Sequence, residues 1–242
     1  MASMYPSIEA TVGDIFKAEW NIAPGLVVPK TEDIALKNGG RLLNATYAYA
    51  DLGESTKLIQ SNLYKETVAK IIRAYINSAT RVFRHYDGEI RSFDGDRVMA
   101  IFVGEDRNTR ATRAALAINW AVEEIIPEAI KTWWSDGQDF CRITHRVGID
   151  TGEALIVRGG VRDNNDLISI GSAPNVAAKL SDLKDGYAIY VSEAVRDDMD
   201  DEVASFPNAN GTVSNIWYRF PHPKLIGDNS VVVYGTNAYW GP

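Results

Sequence analysis

Two aspartates are the residues of this sequence best suited to hold a metal ion. Asp51 lies at the end of an apolar stretch typical of a β-strand, and Asp96 follows the turn signal Asp94-Gly95. No histidine or cysteine stands beside either aspartate, and sites built only from oxygen suit hard cations such as Mg²⁺ or Mn²⁺. Two such ions about 4 Å apart are a common device for attack at phosphorus. The pair therefore indicates phosphoryl chemistry, although a purely structural role in a turn or strand end is also open.

The elements that would position these aspartates follow the order β-α-β-β-α-β. Each helix is predicted from apolar residues at a spacing near 3.6, and each strand from a short run of apolar and aromatic residues. The predicted strands cover 42–52, 89–93, 98–103, 143–149, 154–157 and 187–191, with two more near Trp217 and 231–234. The strands 143–149 and 154–157 are expected to be separated by a bend at Thr151-Gly152. The predicted helices cover Ser55 to Phe83, 108–126 and 173–183.

This order predicts an α+β, ferredoxin-like domain with an antiparallel-dominated sheet, helices on one face and extra C-terminal strands. In that plan the first strand and the β-hairpin are neighbours, so Asp51 and Asp96 would meet at one end of the sheet. Residues 1–40 end in the turn signal Asn38-Gly39-Gly40 and are expected to form an N-terminal extension packed on the core. The catalytic domain would then span 41–242.

The composition restricts the partners and the compartment. The chain has 242 residues and a formal net charge of −7, which disfavours nucleic acid and anionic membranes as partners. Its single cysteine, Cys141, cannot form an internal disulfide. No stretch approaches the roughly 20 apolar residues of a membrane-spanning helix, and the N-terminus lacks the pattern of a signal peptide. We expect a cytoplasmic protein without direct membrane insertion.

Four motifs in the chain resemble those of the class III nucleotidyl cyclases, over roughly residues 40–195. They occur in the family's order, and each falls on an element already predicted from the residues. They read YADLGEST at 49–56, FDGDRVMAIF at 93–102, RVGIDTGE at 146–153 and IGSAPNVAAKL at 170–180. The resemblance implies cyclisation of a nucleoside triphosphate to its 3′,5′-cyclic monophosphate with release of pyrophosphate.

The resemblance also implies a metal and phosphate site. Asp51 and Asp96 would bind two divalent cations (Mg²⁺ or Mn²⁺), with the Leu52 carbonyl as a further ligand. Ser55 and Thr56 would begin a helix whose free N–H groups favour phosphate. Arg146 would hold the β- or γ-phosphate.

Two catalytic residues are implied on the third helix. Asn175 would contact the ribose and orient the reacting oxygen, and Lys179 would stabilise charge at the α-phosphate. The family usually has arginine at the position of Lys179; lysine keeps the charge but lacks the planar fork. In the family these residues come from the partner subunit, so the resemblance implies a homodimer with active sites at its interface.

The positions that read the base in purine cyclases carry Ser92 and Ile168, which match neither the adenine nor the guanine pattern. Tyr49 and Arg97 could line a smaller pocket. The sequence thus looks most like the pyrimidine cyclases of the bacterial Pycsar antiphage systems, whose cyclic nucleotide is sensed by a separate, often membrane-bound effector. We expect UTP as substrate and cyclic UMP as product, with cytidylate or adenylate cyclase as the alternatives.

Two rivals from other functional classes remain open at this stage. A non-catalytic dimeric nucleotide-binding module would account for the departures at Ser92, Ile168 and Lys179, although such a module has no need of both aspartates. A polymerase-like palm is disfavoured by the acidic net charge and the lack of a basic groove.

Overall fold

The computed structural model describes residues 5–53, 64–134, 143–207 and 211–241. The α-helices in these residues are α1 Tyr5–Lys17, α2 Lys65–His85, α3 Arg107–Trp120, α4 Ile126–Trp133, α5 Ser172–Ser181, α6 Glu193–Asp198 and α7 Asp201–Ala204. The strands are β1 Asn21–Gly25, β2 Gly39–Gly53, β3 Glu89–Asp94, β4 Arg97–Phe102, β5 Thr144–Val161, β6 Asn164–Ile170, β7 Ile189–Ser192, β8 Ser205–Pro207, β9 Val213–Asn215, β10 Tyr218–Arg219, β11 Lys224–Ile226, β12 Asn229–Val231 and β13 Val233–Thr236.

A mixed, mostly antiparallel sheet forms the centre of the fold. Its strands run in the order β10-β13-β7-β5-β2-β4-β3, with β1 beside β2 and β6 beside β5. The four neighbours β5-β2-β4-β3 are mutually antiparallel, which is the strand order of a ferredoxin-like domain. The fold class predicted from the sequence is therefore confirmed, and the C-terminal strands extend the sheet beyond β7.

The two faces of the sheet are covered by different helices. Ala48 and Ala50 of β2 point into a core shared with α2 and α3, whereas Tyr47 points into a second core shared with α5. This division follows from the period of two along a strand. The buried side chains of α2 recur every three or four residues and are Val68, Ile71, Tyr75, Ala79 and Phe83. The two long helices thus cover one face as expected, and the shorter α5 lies on the other.

The prediction of two strands bent at Thr151-Gly152 is wrong, because β5 is one strand. Its pairing with β2 runs without interruption, and the Thr151 hydroxyl lies 3.0 Å from the Thr46 hydroxyl and donates to the Ala45 carbonyl at 3.2 Å. Strand β6, which pairs back onto β5, was not predicted.

The predicted helix at 108–126 continues further than expected. A π-helical turn, Ala121–Ile125, joins α3 to α4. Pro127 stands in the first turn of α4 and has no N–H to donate, so the backbone changes its hydrogen-bonding register here.

The N-terminal segment contacts the sheet through β1, which pairs in parallel with β2, and Ile34 is buried against the α5 face. Helix α1 instead exposes apolar side chains, including Ile8, Val12 and Phe16. None of the helices in the described ranges is long and apolar enough to cross a membrane.

Candidate active site

Three charged side chains form a row across three neighbouring strands. Asp51 on β2 lies directly opposite Arg97 on β4 and Arg146 on β5. Residues opposite one another in antiparallel strands share a face of the sheet. Tyr49 and Tyr47 precede Asp51 on the same face, so the row lies on the side of the sheet that α5 covers. The register of the sheet thus places Asp51 between two arginine positions, and the guanidinium of Arg97 bonds its carboxylate.

Asp96 lies in the tight turn next to this row. Asp94 and Arg97 pair across the β3–β4 hairpin, which leaves Gly95 and Asp96 as its two turn residues. Gly95 has φ of +63°, a conformation that glycine adopts without strain. Oxygen Oδ2 of Asp96 is buried and has no hydrogen-bond partner among the described residues. The hairpin therefore holds a carboxylate oxygen with an unmet demand for a proton donor or a cation.

The charges of the row and of Asp96 influence one another. Burial raises the pKa of Asp51, and the hydrogen bond and positive charge of Arg97 partly offset this, while the negative charge of Asp96 raises it further. Burial lowers the pKa of Arg97, but its bonds and charge interactions with Asp51 and Asp182 outweigh burial and raise it overall. Asp51 and Asp96 thus lie close enough to repel, as the sequence predicted, and a cation between them would relieve the repulsion.

Asp182, which the sequence did not single out, completes this cluster. It is the C-cap residue of α5, and its Oδ1 accepts a hydrogen bond from Nη2 of Arg97. The same nitrogen of Arg97 donates to Oδ2 of Asp51 at 3.1 Å. Arg97 therefore links the end of α5 to the end of β2.

Gly148 sets the position of α5 over the row. Gly148 lies on β5, two residues after Arg146, and pairs with Tyr49 on β2. A Cβ atom at this position would lie 2.2 Å from the Ala177 carbonyl oxygen and 2.3 Å from the Ser181 nitrogen, both in the backbone of α5. Glycine thus permits a close approach of helix and strand that no other residue allows.

The residues present fit a hard divalent cation. Among the described residues, no group of three or more histidine, cysteine, aspartate or glutamate side chains gathers as a closed metal cage. Asp51 and Asp96 instead offer carboxylate oxygens from two neighbouring elements, one of these oxygens without a partner, and Leu52 follows Asp51 in the last residues of β2. Such an open set of oxygen ligands leaves room for phosphate oxygens, as Mg²⁺ and Mn²⁺ sites in phosphoryl transfer require.

The predicted base-contacting hydroxyls lie in the next row of the sheet. Tyr49 and Ser92 both pair with Met99, which stands between them on β4. Adjacent strands are about 4.8 Å apart, so the backbones at Tyr49 and Ser92 are roughly 10 Å apart on one face. Burial raises the pKa of Tyr49, and the positive charge of Arg97 opposes this to a smaller extent. Because the pKa is raised overall, the Tyr49 hydroxyl stays protonated and can donate a hydrogen bond. Tyr49, Ser92 and Arg97 are thus brought together beside the carboxylates.

Arg146, which pairs with Asp51 in the sheet, lines an open cavity. The cavity has a volume of about 340 Å³ and polar walls, and Glu123, Tyr187 and Asn237 help to line it. The Arg146 side chain is partly buried, next to Asp51 in the register of β5 and β2. A cation in this position suits an anionic ligand that enters from the end of the sheet.

Three other predicted site residues lie elsewhere. Ile168 on β6 is 50% exposed and pairs with Val157, which lies opposite Gly40 at the far end of β2 from Asp51. The strand length between Gly40 and Asp51 corresponds to roughly 35 Å. A pocket that contained both Ile168 and Asp51 therefore requires residues from two chains.

Asn175 and Lys179 are exposed on one side of α5. The Asn175 amide donates to the Gly171 carbonyl at 3.0 Å, and the Lys179 ammonium lies beside Gly227. Within the described ranges neither side chain is bonded to Asp51 or Asp96. Ser55 and Thr56, predicted at the phosphate end of a helix, lie outside the described residues.

The layer behind the row is a neutral, buried pair of rings. His145 is buried, and its Nε2 lies 2.9 Å from the side-chain oxygen Oδ1 of Asn119; burial, and less strongly the charge of Arg146, lowers its pKa to about 3. Tyr75 is buried beside it, with ring centroids 5.8 Å apart. Burial raises the pKa of Tyr75, and the charges of Asp51 and Asp96 raise it further. His145 is thus a core residue and stays neutral.

Comparison with known proteins identifies close relatives over most of the chain. A uridylate cyclase from Rhodovulum sp. (strain MB263) is 38% identical over 197 residues, which cover 81% of this chain and 82% of the relative. A uridylate cyclase from Xanthomonas perforans is 34% identical over 229 residues, 94% of each chain. One from Burkholderia cepacia is 41% identical over 174 residues, 71% of this chain and 74% of the relative. No family model matches the chain.

Solved cyclase structures share the fold. The adenylyl cyclase CyaB from P. aeruginosa superposes with a TM-score of 0.65 at 19% identity, covering 81% of this chain and 95% of its own. The guanylyl cyclase Cya2 superposes with a TM-score of 0.65 at 21% identity, covering 84% of this chain and 96% of its own.

Proposed function

Because the chain belongs to the class III nucleotidyl cyclases, we propose that it converts UTP to 3′,5′-cyclic UMP and pyrophosphate with two divalent cations. The nucleotidyl cyclase activity follows from the family. The choice of base, the use of two metals and the signalling role are the steps proposed here. The observation that carries the proposal is the pair Asp51 and Asp96, at one end of neighbouring elements with Arg146 in the same row.

The carboxylates would hold the metals, and Leu52 would add its carbonyl oxygen. The partnerless Oδ2 of Asp96 and the repulsion between the two aspartates support this role. The chemistry that two bound Mg²⁺ or Mn²⁺ ions supply is neutralisation of phosphate charge and a lower pKa for the attacking 3′-hydroxyl. Arg146 would hold the β- or γ-phosphate from the adjacent strand, and Ser55 and Thr56 would meet the phosphates at the start of a helix.

The second half of each site would come from a partner copy. Asn175 would orient the ribose, and Lys179 would balance charge that develops at the α-phosphate. Within the described ranges neither side chain bonds Asp51 or Asp96, and Ile168 lies far from Asp51, which supports a homodimer with two composite sites. Two inactive variants, Asp96→Asn and Lys179→Ala, should then regain activity when mixed, because one of the two sites in a mixed dimer is intact.

A uracil edge presents an acceptor, a donor and a second acceptor. The hydroxyls of Tyr49 and Ser92 and the guanidinium of Arg97 could match this edge, and all three lie on the same face beside the metal ligands. A buried base edge without partners is costly, so these groups would favour uracil over a purine. The activity named for the three relatives, uridylate cyclisation, supports the same choice.

The biological role would be antiphage signalling in the cytoplasm. Cyclic UMP would act as an alarm signal for a separate, often membrane-bound effector, as in the defence systems whose cyclases this sequence resembles. The uridylate cyclase activity named for the three relatives supports the identity of the signal, cyclic UMP, and the resemblance to the Pycsar cyclases supports its role in defence.

The test incubates purified protein with Mn²⁺ and each of ATP, GTP, CTP and UTP separately, and resolves the products by mass spectrometry. We expect cyclic UMP from the wild type and none from Asp51→Ala. A cyclic purine as the main product would retain the cyclase and refute the pocket argument. No cyclic product from any nucleotide would refute the proposal and favour a nucleotide-binding module.

A further inference from the structure

Arg97 holds one of the two carboxylate oxygens that Asp51 would offer to the metals. Its Nη2 donates to Oδ2 of Asp51 at 3.1 Å and also to Oδ1 of Asp182. The side chains of Arg97 and Asp51 are each 23% exposed, so their contact is partly shielded from water. Asp51 would use both carboxylate oxygens to bind two cations, and a guanidinium competes with a cation for the lone pairs of Oδ2. Both cations can therefore reach Asp51 fully only if Arg97 releases this oxygen.

A released Arg97 would need another partner. A partly buried cation that loses its carboxylate is destabilised, because it keeps the desolvation cost without the compensating bond. Asp182 already accepts one bond from Arg97 and could take the guanidinium as a bidentate partner. Its side chain is 56% exposed, so it can follow the movement of Arg97.

The location of Asp182 argues for a role with Arg97 rather than for a role in its own helix. It is the C-cap of α5, where the helix dipole favours a cation and disfavours a carboxylate. The preceding residue, Ser181, packs its backbone against Gly148, so the packing of helix on strand fixes where Asp182 stands. Asp182 therefore sits at an unfavourable place for the helix and a favourable one for Arg97.

We propose that Asp182 is a positioning residue that draws Arg97 away from Asp51 when a divalent cation binds. This inference rests on the proposed metal role of Asp51. While Asp182 holds one edge of the guanidinium, the remaining N–H groups of Arg97 stay free to meet the base. Asp182 thus raises the affinity of the site for metal without being a ligand itself.

The test measures Mn²⁺ binding directly, by calorimetric titration of the protein without nucleotide. Asp182→Asn should weaken Mn²⁺ binding about tenfold, since it leaves Arg97 with Asp51 alone, and Arg97→Ala should strengthen binding by a similar factor. The double variant should bind as Arg97→Ala does, because Asp182 acts only through Arg97. Asp185→Asn is the matched control: it removes the same charge three residues later, from a carboxylate that pairs with Lys224 at 2.8 Å.

The outcomes separate this inference from the proposed function. If Asp182→Asn weakens Mn²⁺ binding by the same factor in the wild type and in Arg97→Ala, Asp182 acts only by its charge and the inference is overturned. The inference is also overturned if Asp182→Asn leaves Mn²⁺ binding of the wild type unchanged. Asp182→Ser repeats the test should Asp182→Asn fold poorly. Binding that is absent in the wild type, or unchanged by Asp51→Ala, contradicts the metal site itself.

Discussion

Replacing Gly148 by alanine should displace α5 and with it the catalytic geometry. The added Cβ would lie 2.2 Å from the Ala177 carbonyl oxygen, whereas ordinary van der Waals contact begins near 3.4 Å. The obstruction is helix backbone, so α5 must move by about 1 Å as a unit. We expect a loss of about 1–3 kcal/mol in the free energy of unfolding, typical of overpacking.

The catalytic loss should exceed the loss of stability. A shift of about 1 Å in positioning residues can cost on the order of 100-fold in rate. Cyclic nucleotide formation and urea unfolding of the same preparation measure both quantities. Gly13→Ala is the matched control, since a Cβ there meets nothing within 4 Å and the position lies in α1. That change should leave activity intact and raise stability by about 0.5–1 kcal/mol. Unchanged activity in a folded Gly148→Ala variant would refute the reasoning.

Three further predictions concern single side chains. Asp96→Asn should reduce activity at least about 100-fold without lowering thermal stability, since it removes a buried carboxylate whose Oδ2 has no partner among the described residues; a destabilised variant would show that Asp96 is structural. The folded protein holds the pKa of His145 near 3, below the ordinary 6.5. As the pH falls, His145 therefore takes up a proton in the unfolded chain before it does so in the folded protein. The free energy of unfolding should decrease between these two pH values by up to about 1.4 kcal/mol per pH unit. His145→Gln should flatten that slope in urea unfolding between pH 6.5 and 4, and an unaltered slope would assign the acid sensitivity to other groups. Tyr49→Phe should lower the ratio of kcat/KM for UTP over ATP by roughly tenfold or more if its hydroxyl reads the base, whereas an unchanged ratio would exclude that role.

Local patterns in the sequence were enough to predict the elements that carry the carboxylates. The turn signal Asp94-Gly95 predicted the hairpin, whose turn residues are Gly95 and Asp96. The spacing of apolar residues predicted α2, but the expected single helix from Ser55 is interrupted at the extended Tyr64, and α2 begins at Lys65. The neighbourhood of Asp51 and Asp96 then followed from the order of elements. The motifs that resemble the cyclase family added the proposal that a partner copy contributes Asn175 and Lys179, which spacing alone could not supply.

The features that the sequence missed depend on long-range register. Asp182 and Arg97 are 85 residues apart, and their contact arises only because α5 rests on Gly148. The predicted bend at Thr151-Gly152 failed because the continuous pairing with β2 holds both residues in the strand, although glycine often marks a bend. Strand β6 begins with Asn164 and Asn165, which are typical of loops, and it takes its conformation from pairing with β5.

The central claim is cyclisation of a pyrimidine nucleotide at the site built on Asp51 and Asp96. The most direct test presents the purified protein with Mn²⁺ and an equimolar mixture of the four ribonucleoside triphosphates, and quantifies every cyclic product and pyrophosphate. The account predicts that cyclic UMP predominates, with one pyrophosphate released for each cyclic nucleotide, and that Asp51→Ala forms neither. A predominant cyclic purine, or cyclic UMP that persists undiminished in Asp51→Ala, would contradict it.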